Sequence, residues 1–478
     1  MFSNHDRPVF ATITGHWLSL LGAFIVTTAS VCWLLALPSQ IRGHVSNPYI
    51  GILLFVVLPI VFVGGLLLIP VGVYFSRKKV REGFANSTID RATSIRRLVT
   101  FLGVTTFFNI VIASQLTYRA VEHMETTQFC GQSCHVMKPE FTAYQNSVHS
   151  RVLCVDCHVA PGASGWVSSK LSGTRQLLAV ALNNHPRPIE SAMESDRLIP
   201  SSQTCEQCHW PEVGGTVRVR VIPNYKSDEQ NTASHTVLSM VIGGSDASGI
   251  HGSHFGPGIR IRYAAADPKR ESIPWVEYRN EKTKTLRTFA TAGSKSSEVA
   301  KLPAHDMQCV DCHNRPAHAF ELPERAVNRA IASGDVPAAL PFVKKKSLEL
   351  LNASYQDDAE AARKIADGLG SYYRTSHPAV FSTNAADVTK ASKAIAAIYA
   401  RNVFPDLKVT WGTYPSNIGH TDSPGCFRCH DDGHASADQK VITQNCTSCH
   451  EMLAVEEASP EILKTLNLGD RLGQLQRR

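Results

Sequence analysis

The chain has 478 residues, 43% hydrophobic and 19% charged, with a formal net charge of +7, thirteen cysteines and 20 histidines. The positive balance is not a nucleic-acid signal, because residues 76–97 hold Arg77, Lys78, Lys79, Arg81, Arg91, Arg96 and Arg97 against only Glu82 and Asp90. That segment supplies five of the seven net charges, so the remainder of the chain is near neutral and no nucleic-acid partner is expected.

Three apolar stretches come first, at residues 17–37, 50–75 and 98–116. Each is long enough to cross a hydrocarbon core of roughly 30 Å as a helix. The basic loop 76–97 lies between the second and third, whereas the loop between the first two carries only Arg42. The positive-inside rule places the basic loop in the cytoplasm, the amino terminus with it, and everything after about residue 117 outside. A cleavable signal peptide is a poorer account of the first stretch, because Leu37-Pro38 is a poor cleavage site. Residues 1–117 therefore read as a multi-pass anchor of three transmembrane helices, with Cys32 a small apolar residue inside the first.

The next feature is a repeated motif. Cys-x-x-Cys-His occurs at Cys154/Cys157/His158, Cys205/Cys208/His209, Cys309/Cys312/His313, Cys426/Cys429/His430 and Cys446/Cys449/His450. Cys130/Cys134/His135 is the same pattern with one extra residue. Two thiols three residues apart reach both vinyl groups of one porphyrin, and the following imidazole then lies under the iron. Zinc sites need a second ligand pair at fixed distance and no histidine directly after the second cysteine. A thioredoxin-like pair needs a βαβ unit, which nothing around these motifs suggests. Six c-type haems are expected, with the six motif histidines as proximal ligands. Their propionates would add about a dozen negative charges to the external domain, for nearby Arg and Lys to pair with.

A six-coordinate haem needs a second axial ligand, for which imidazole is a common choice. The candidates near a motif or in Gly/Pro-rich turns are His149, His305, His318, His420 and His434. His251 and His254 form a further pair in a Gly-rich stretch, and one of them is expected to serve. His123, His185, His235 and His377 are weaker candidates.

Between the motifs the chain changes character. A helical stretch at 165–182 precedes the third site, so 118–210 reads as a trihaem module. Residues 211–303 alternate in strand fashion at 216–225, 235–242, 259–264, 275–279 and 284–290, a small β-rich insertion without cysteine. Residues 304–456 form a second trihaem region with a helical insertion at 323–332, 341–352, 357–373 and 386–402. The polar tail 457–478 is expected to be loosely ordered. The fold class is thus an α-helical membrane anchor plus a loop-rich multihaem cytochrome c domain with one β-rich and one helical insertion.

Residues 129–176 carry a family resemblance: Phe-Cys-Gly-Gln-Ser-Cys-His-Val-Met-Lys-Pro-Glu from Phe129, Val-His-Ser-Arg-Val-Leu-Cys-Val-Asp-Cys-His from Val148, and Ser-Lys-Leu-Ser-Gly-Thr-Arg-Gln from Ser169. The combination resembles the NapC/NirT family of membrane-anchored multihaem cytochromes. The whole chain is most like the inner-membrane cytochromes of metal-reducing bacteria, which join such a module to a larger periplasmic part. In that family the first haem lies by the membrane, where quinol docks, and often takes a methionine ligand. Met137 stands at the matching position, with packing beside the porphyrin as its plain alternative. A thioether there would raise the potential relative to two imidazoles. Lys170 matches a family lysine that points at the quinol oxygen, and Arg175 is a candidate propionate partner. Gln176 stands where relatives carry an acidic residue, which puts a proton-acceptor role there in doubt. Three spans also depart from the single anchor of smaller members.

The resemblance implies a bacterial cytoplasmic (inner) membrane protein with a periplasmic haem domain. It would oxidise menaquinol, as a quinol dehydrogenase, and pass electrons to a periplasmic cytochrome or terminal reductase in anaerobic respiration or extracellular electron transfer. Its partners would be membrane lipid and the quinone pool. A non-catalytic relay subunit of a larger membrane complex is the first alternative. A nitrite- or hydroxylamine-type reductase is the second, although no Cys-x-x-Cys-Lys variant is present.

Overall fold

Apolar residues without interruption favour a helix that needs no aqueous partner, and the first unit of the chain is built that way. The structure is a computed structural model that describes residues 16–36, 57–85, 91–194, 199–210, 217–243 and 248–468. The chain divides into two units, residues 1–133 and 134–478. In the first, α1 (Trp17–Ala36), α2 (Leu58–Ala85) and α3 (Arg91–Met124) are helices. Each contains a segment long and apolar enough to cross a membrane, at Trp17–Leu35, Leu58–Phe75 and Val99–Met124. Small residues set how closely α1 and α2 approach: a Cβ at Gly72 would lie 2.3 Å from the Ser19 nitrogen, and one at Gly22 would lie 2.6 Å from the Gly65 oxygen. Thr28 donates to Asn109 across α1 and α3 at 3.2 Å.

Two boundaries differ from the sequence reading. The expected loop 76–97 is helical at both ends, because Arg, Lys and Glu continue a helix readily once its apolar run stops. The boundary at 117 falls inside α3. Residues 37, 50–56 and 86–90 of the expected spans and loop lie outside the described residues.

The second unit begins with α4 (Lys138–Gln145) and α5 (Gly162–Ala181). Strands β1 (Val217–Tyr225) and β2 (Ala233–Val241) follow, then the short helix α6 (Gly249–Phe255). Next come β3 (Ile259–Ala264), β4 (Trp275–Asn280), β5 (Thr285–Thr291) and β6 (Ala304–Asp306). Helices α7 (Pro323–Ala332), α8 (Val343–Leu351), α9 (Asp358–Ser376) and α10 (Ala385–Asn402) form the helical insertion, and β7 (His434–Ala435) and β8 (His450–Glu457) complete the strands. Asp357 caps α9 by accepting from the Glu360 nitrogen at 2.7 Å. The insertion has its own core, with Val327, Leu340, Leu351, Ile365, Leu369, Tyr373 and Ile395 all fully buried.

The β-rich region is not self-contained. Its strands form two antiparallel sheets, ordered β1-β2-β8 and β6-β3-β4-β5-β7, so segments beyond residue 303 complete both. Part of the tail is also structured. Residues Glu461–Thr465 are helical and Leu463 is buried with Val237 and Ala454, because three apolar residues (Ile462, Leu463, Leu468) find a sheet face to cover. Residues 469–478 lie outside the described residues.

Candidate metal centres

Four of the five-residue motifs close a single turn, and the fifth turns at Cys446–Ser448 before β8 begins at His450. The nitrogens of His209, His313 and His430 donate to the carbonyls of Cys205, Cys309 and Cys426 at 2.8, 2.8 and 3.1 Å. The Cys154 motif is one turn of α-helix from Cys154 to His158. One turn puts residues i and i+3 on one side with i+4 beside them, which presents two thiols and an imidazole together. At Phe129–Ser133 the turn is the wider π type, which accommodates the extra residue of the first motif. None of the described cysteines is in a disulfide. Among the described residues no three His, Cys, Asp or Glu side chains gather to hold a metal ion, as a zinc site would require.

The histidines instead meet in pairs. His158 faces His318 with ring centres 6.1 Å apart, and His209 faces His149 at 5.9 Å. His313 faces His251 at 6.2 Å, His430 faces His254 at 5.9 Å, and His450 faces His420 at 6.2 Å. Two imidazoles on one iron, each bonded at about 2 Å, would have ring centres ~6.3 Å apart. Each of these five motif histidines therefore has one partner at the separation an iron needs. This donor set, two thiols and two opposed imidazoles per site, fits a c-type haem.

The outer hydrogen bonds agree with that fit. Nδ1 of His149 bonds the Pro316 carbonyl at 3.0 Å, Nδ1 of His254 that of Ile250 at 2.7 Å, and Nδ1 of His318 that of Glu140 at 2.9 Å. Nδ1 of His430 bonds the Thr443 carbonyl at 2.9 Å. With the proton on Nδ1, the other ring nitrogen of each keeps its lone pair for a metal. Burial lowers the pKa of His254 and pushes that of His318 down to about 4, so both rings are neutral near pH 7.

Two sequence candidates are placed otherwise. His434 is fully buried and spends both ring nitrogens, one on Asp431 at 2.9 Å and the other on the Ile273 carbonyl at 2.6 Å. His434 therefore has no ring nitrogen left to offer an iron. His305 lies on β6 with its ring 5.6 Å from Tyr263. Conversely both His251 and His254 find motif partners, where the sequence suggested one: α6 places them one turn apart, and each faces a different motif. The pairings were hidden in the sequence because every one joins distant segments. Only proximity to a motif or a turn could mark the candidates.

The five paired sites are also consecutive neighbours. Cys157 lies near Cys205 and Cys208, and Cys205 lies near Cys309. Helix α6 serves both the His313 and His430 sites. Cys426 interacts with both Cys312 and Cys449. Phe427, inside the Cys426 motif, stacks on His420 with centres 4.2 Å apart and planes at 13°, and His420 faces His450. The sites thus follow each other in chain order from His158 to His450.

The first motif is seen only in part. Met137 and Cys134 pack against an apolar cluster of Val136, Phe404, Leu407, Val409 and Tyr414. The side chain of His135 lies outside the described residues. Lys170 is on α5 with its Nζ 5.3 Å above the Trp166 ring. No residue of α5 is buried, and Trp166, Val167, Leu171 and Leu178 are exposed along it, together with Arg175 and Gln176.

Residues 92–218 match the family described as NapC/NirT cytochrome c family, N-terminal region. The chain is 37% identical to the cytochrome c-type protein ImcH of Geobacter sulfurreducens over 445 residues, covering 91% of this chain and 87% of that one. It is 30% identical to the cytochrome c-type protein TorC of Escherichia coli over 110 residues, 20% of this chain and 28% of the relative. It is 26% identical to the cytochrome c-type protein NrfH of Wolinella succinogenes over 94 residues, 19% of this chain and 52% of the relative. None of the solved structures matches the chain.

Proposed function

Because the chain belongs to the NapC/NirT cytochrome c family, we propose that it is a hexahaem quinol dehydrogenase of the bacterial cytoplasmic membrane, oxidising menaquinol and passing electrons to a periplasmic acceptor. The observation that carries this reading is the row of five opposed histidine pairs, each completing a Cys-x-x-Cys-His turn, in a chain with three candidate membrane helices. The cysteines Cys130, Cys134, Cys154, Cys157, Cys205, Cys208, Cys309, Cys312, Cys426, Cys429, Cys446 and Cys449 would hold the porphyrins. Bound there, the groups supply reversible one-electron chemistry.

The residues divide the remaining work. The opposed imidazoles would hold an iron from both sides at five sites and leave small molecules such as nitrite no open position there, which disfavours a reductase. The first site is the exception in its spacing and in the methionine beside it. Met137, packed against the apolar cluster of Val136, Phe404, Leu407, Val409 and Tyr414, would serve as ligand or as a wall against the porphyrin. The exposed apolar side chains of α5 suit a lipid surface, and Lys170 among them would hydrogen-bond a quinol oxygen and stabilise its anion as protons leave to the outside.

Lys170→Ala tests the enzyme against the relay. With a soluble menaquinol analogue as donor, the variant should lose on the order of tenfold to a hundredfold in reduction rate while its haem spectrum stays unchanged. An unchanged rate would favour the relay subunit, in which another chain oxidises the quinol.

A further inference from the structure

The fourth and fifth sites are joined by a polar cluster that the imidazole pairing does not use. Arg428 lies between the two cysteines of its motif and is only 9% exposed. Its three hydrogen bonds all go to backbone carbonyls, those of Gly425 at 2.8 Å, Arg270 at 2.9 Å and Asp311 at 2.5 Å. Asp311 in turn lies between the two cysteines of the fourth motif, 2% exposed. Its carboxylate accepts from Tyr263 and from Arg270, the latter at 3.2 Å, and also from the Gln308 nitrogen at 2.7 Å. Asn417 donates to the same Asp311 carbonyl at 3.1 Å.

A carbonyl-bound guanidinium satisfies its donors without meeting a counter-charge. The carboxylate of Asp311, whose carbonyl Arg428 binds, is already committed to Arg270 and Tyr263. Burial keeps water from screening the remaining charge, which then acts at close range on both motifs. A positive charge favours the reduced, less positive state of any iron beside it.

We infer that Arg428 is a buried fixed cation that raises the reduction potentials of the His313/His251 and His430/His254 sites together, with Asp311 opposing it. The inference rests on the reading of those four histidines as iron ligands. It gives the middle of the row a stronger pull on electrons than the same imidazole pairs would have alone.

The test is a redox titration of the purified, haem-loaded protein followed by electron paramagnetic resonance. Arg428→Gln, which keeps hydrogen-bond donors but no charge, should shift two low-spin couples downward, and Arg428→Lys should restore them. Asp311→Asn should move the same two couples upward, a reversal that loosened packing would not produce. It also decides the matter if Arg428→Gln fails to fold. Unmoved couples in either neutral variant, or equal shifts with glutamine and lysine, would overturn the inference while the low-spin signals stay intact. Absence of low-spin signals from the parent protein would overturn it together with the ligand reading beneath it.

Discussion

Replacing His251 by alanine is expected to convert one low-spin iron to high spin and to cut electron flow from quinol to acceptor by on the order of a hundredfold, equivalent to ~2.7 kcal/mol in the barrier. His251 faces His313 at the fourth site, with paired sites on both sides of it in the row. No branch leads around it among the described pairs. Alanine preserves α6, which is held by its own turn and by the bond from the His251 nitrogen to the Ile242 carbonyl at 2.7 Å. His254 on the same helix therefore keeps its partner, and the damage is confined to one site. His434→Ala is the control: it removes an imidazole that is more deeply buried than His251 but leaves every low-spin signal in place. A low-spin spectrum unchanged by His251→Ala would show that the ring opposite His313 is not a ligand.

The second large effect is expected at the far end. Changing Cys446 and Cys449 to serine removes the covalent hold on the last site, so the intact mass should fall by one haem. Reduction of the remaining haems by a quinol analogue should continue, because the sites from His158 to His430 do not depend on it. Delivery to a periplasmic acceptor should fall to background if the His420/His450 pair is the exit. Unimpaired delivery would place the exit elsewhere along the row. The opposite pattern, lost quinol reduction, would mean that the row is not filled from its His158 end.

Motif spacing is more legible in the sequence than the assembly of the motifs. Cysteine spacing is local, so Cys154/Cys157/His158 and its repeats could be read directly as haem turns. The apolar runs were equally local and mark the three helices closely, although charged helix formers carry α2 and α3 past the expected limits. Pairing is not local. His318 reaches back to His158, His149 forward to His209, and α6 reaches out of the β-rich region to two motifs on the far side of it. His434 illustrates the same blindness from the other direction: its place four residues after a motif histidine made it a candidate, yet Asp431 and the Ile273 carbonyl claim both nitrogens. The β-rich region was recognised by alternation, but β6, β7 and β8 come from beyond it, and no periodicity within 211–303 could announce them. Arg428 and Asp311 lay unnoticed inside the motifs because only burial distinguishes a fixed charge from an ordinary spacer.

The most direct test is the intact mass and haem count of the protein purified from cells that mature c-type cytochromes. The polypeptide alone weighs 52.3 kDa. A mass equal to that of the chain plus six covalently bound haems, in a red preparation, is the predicted result. A colourless protein at the mass of the bare chain would contradict the account.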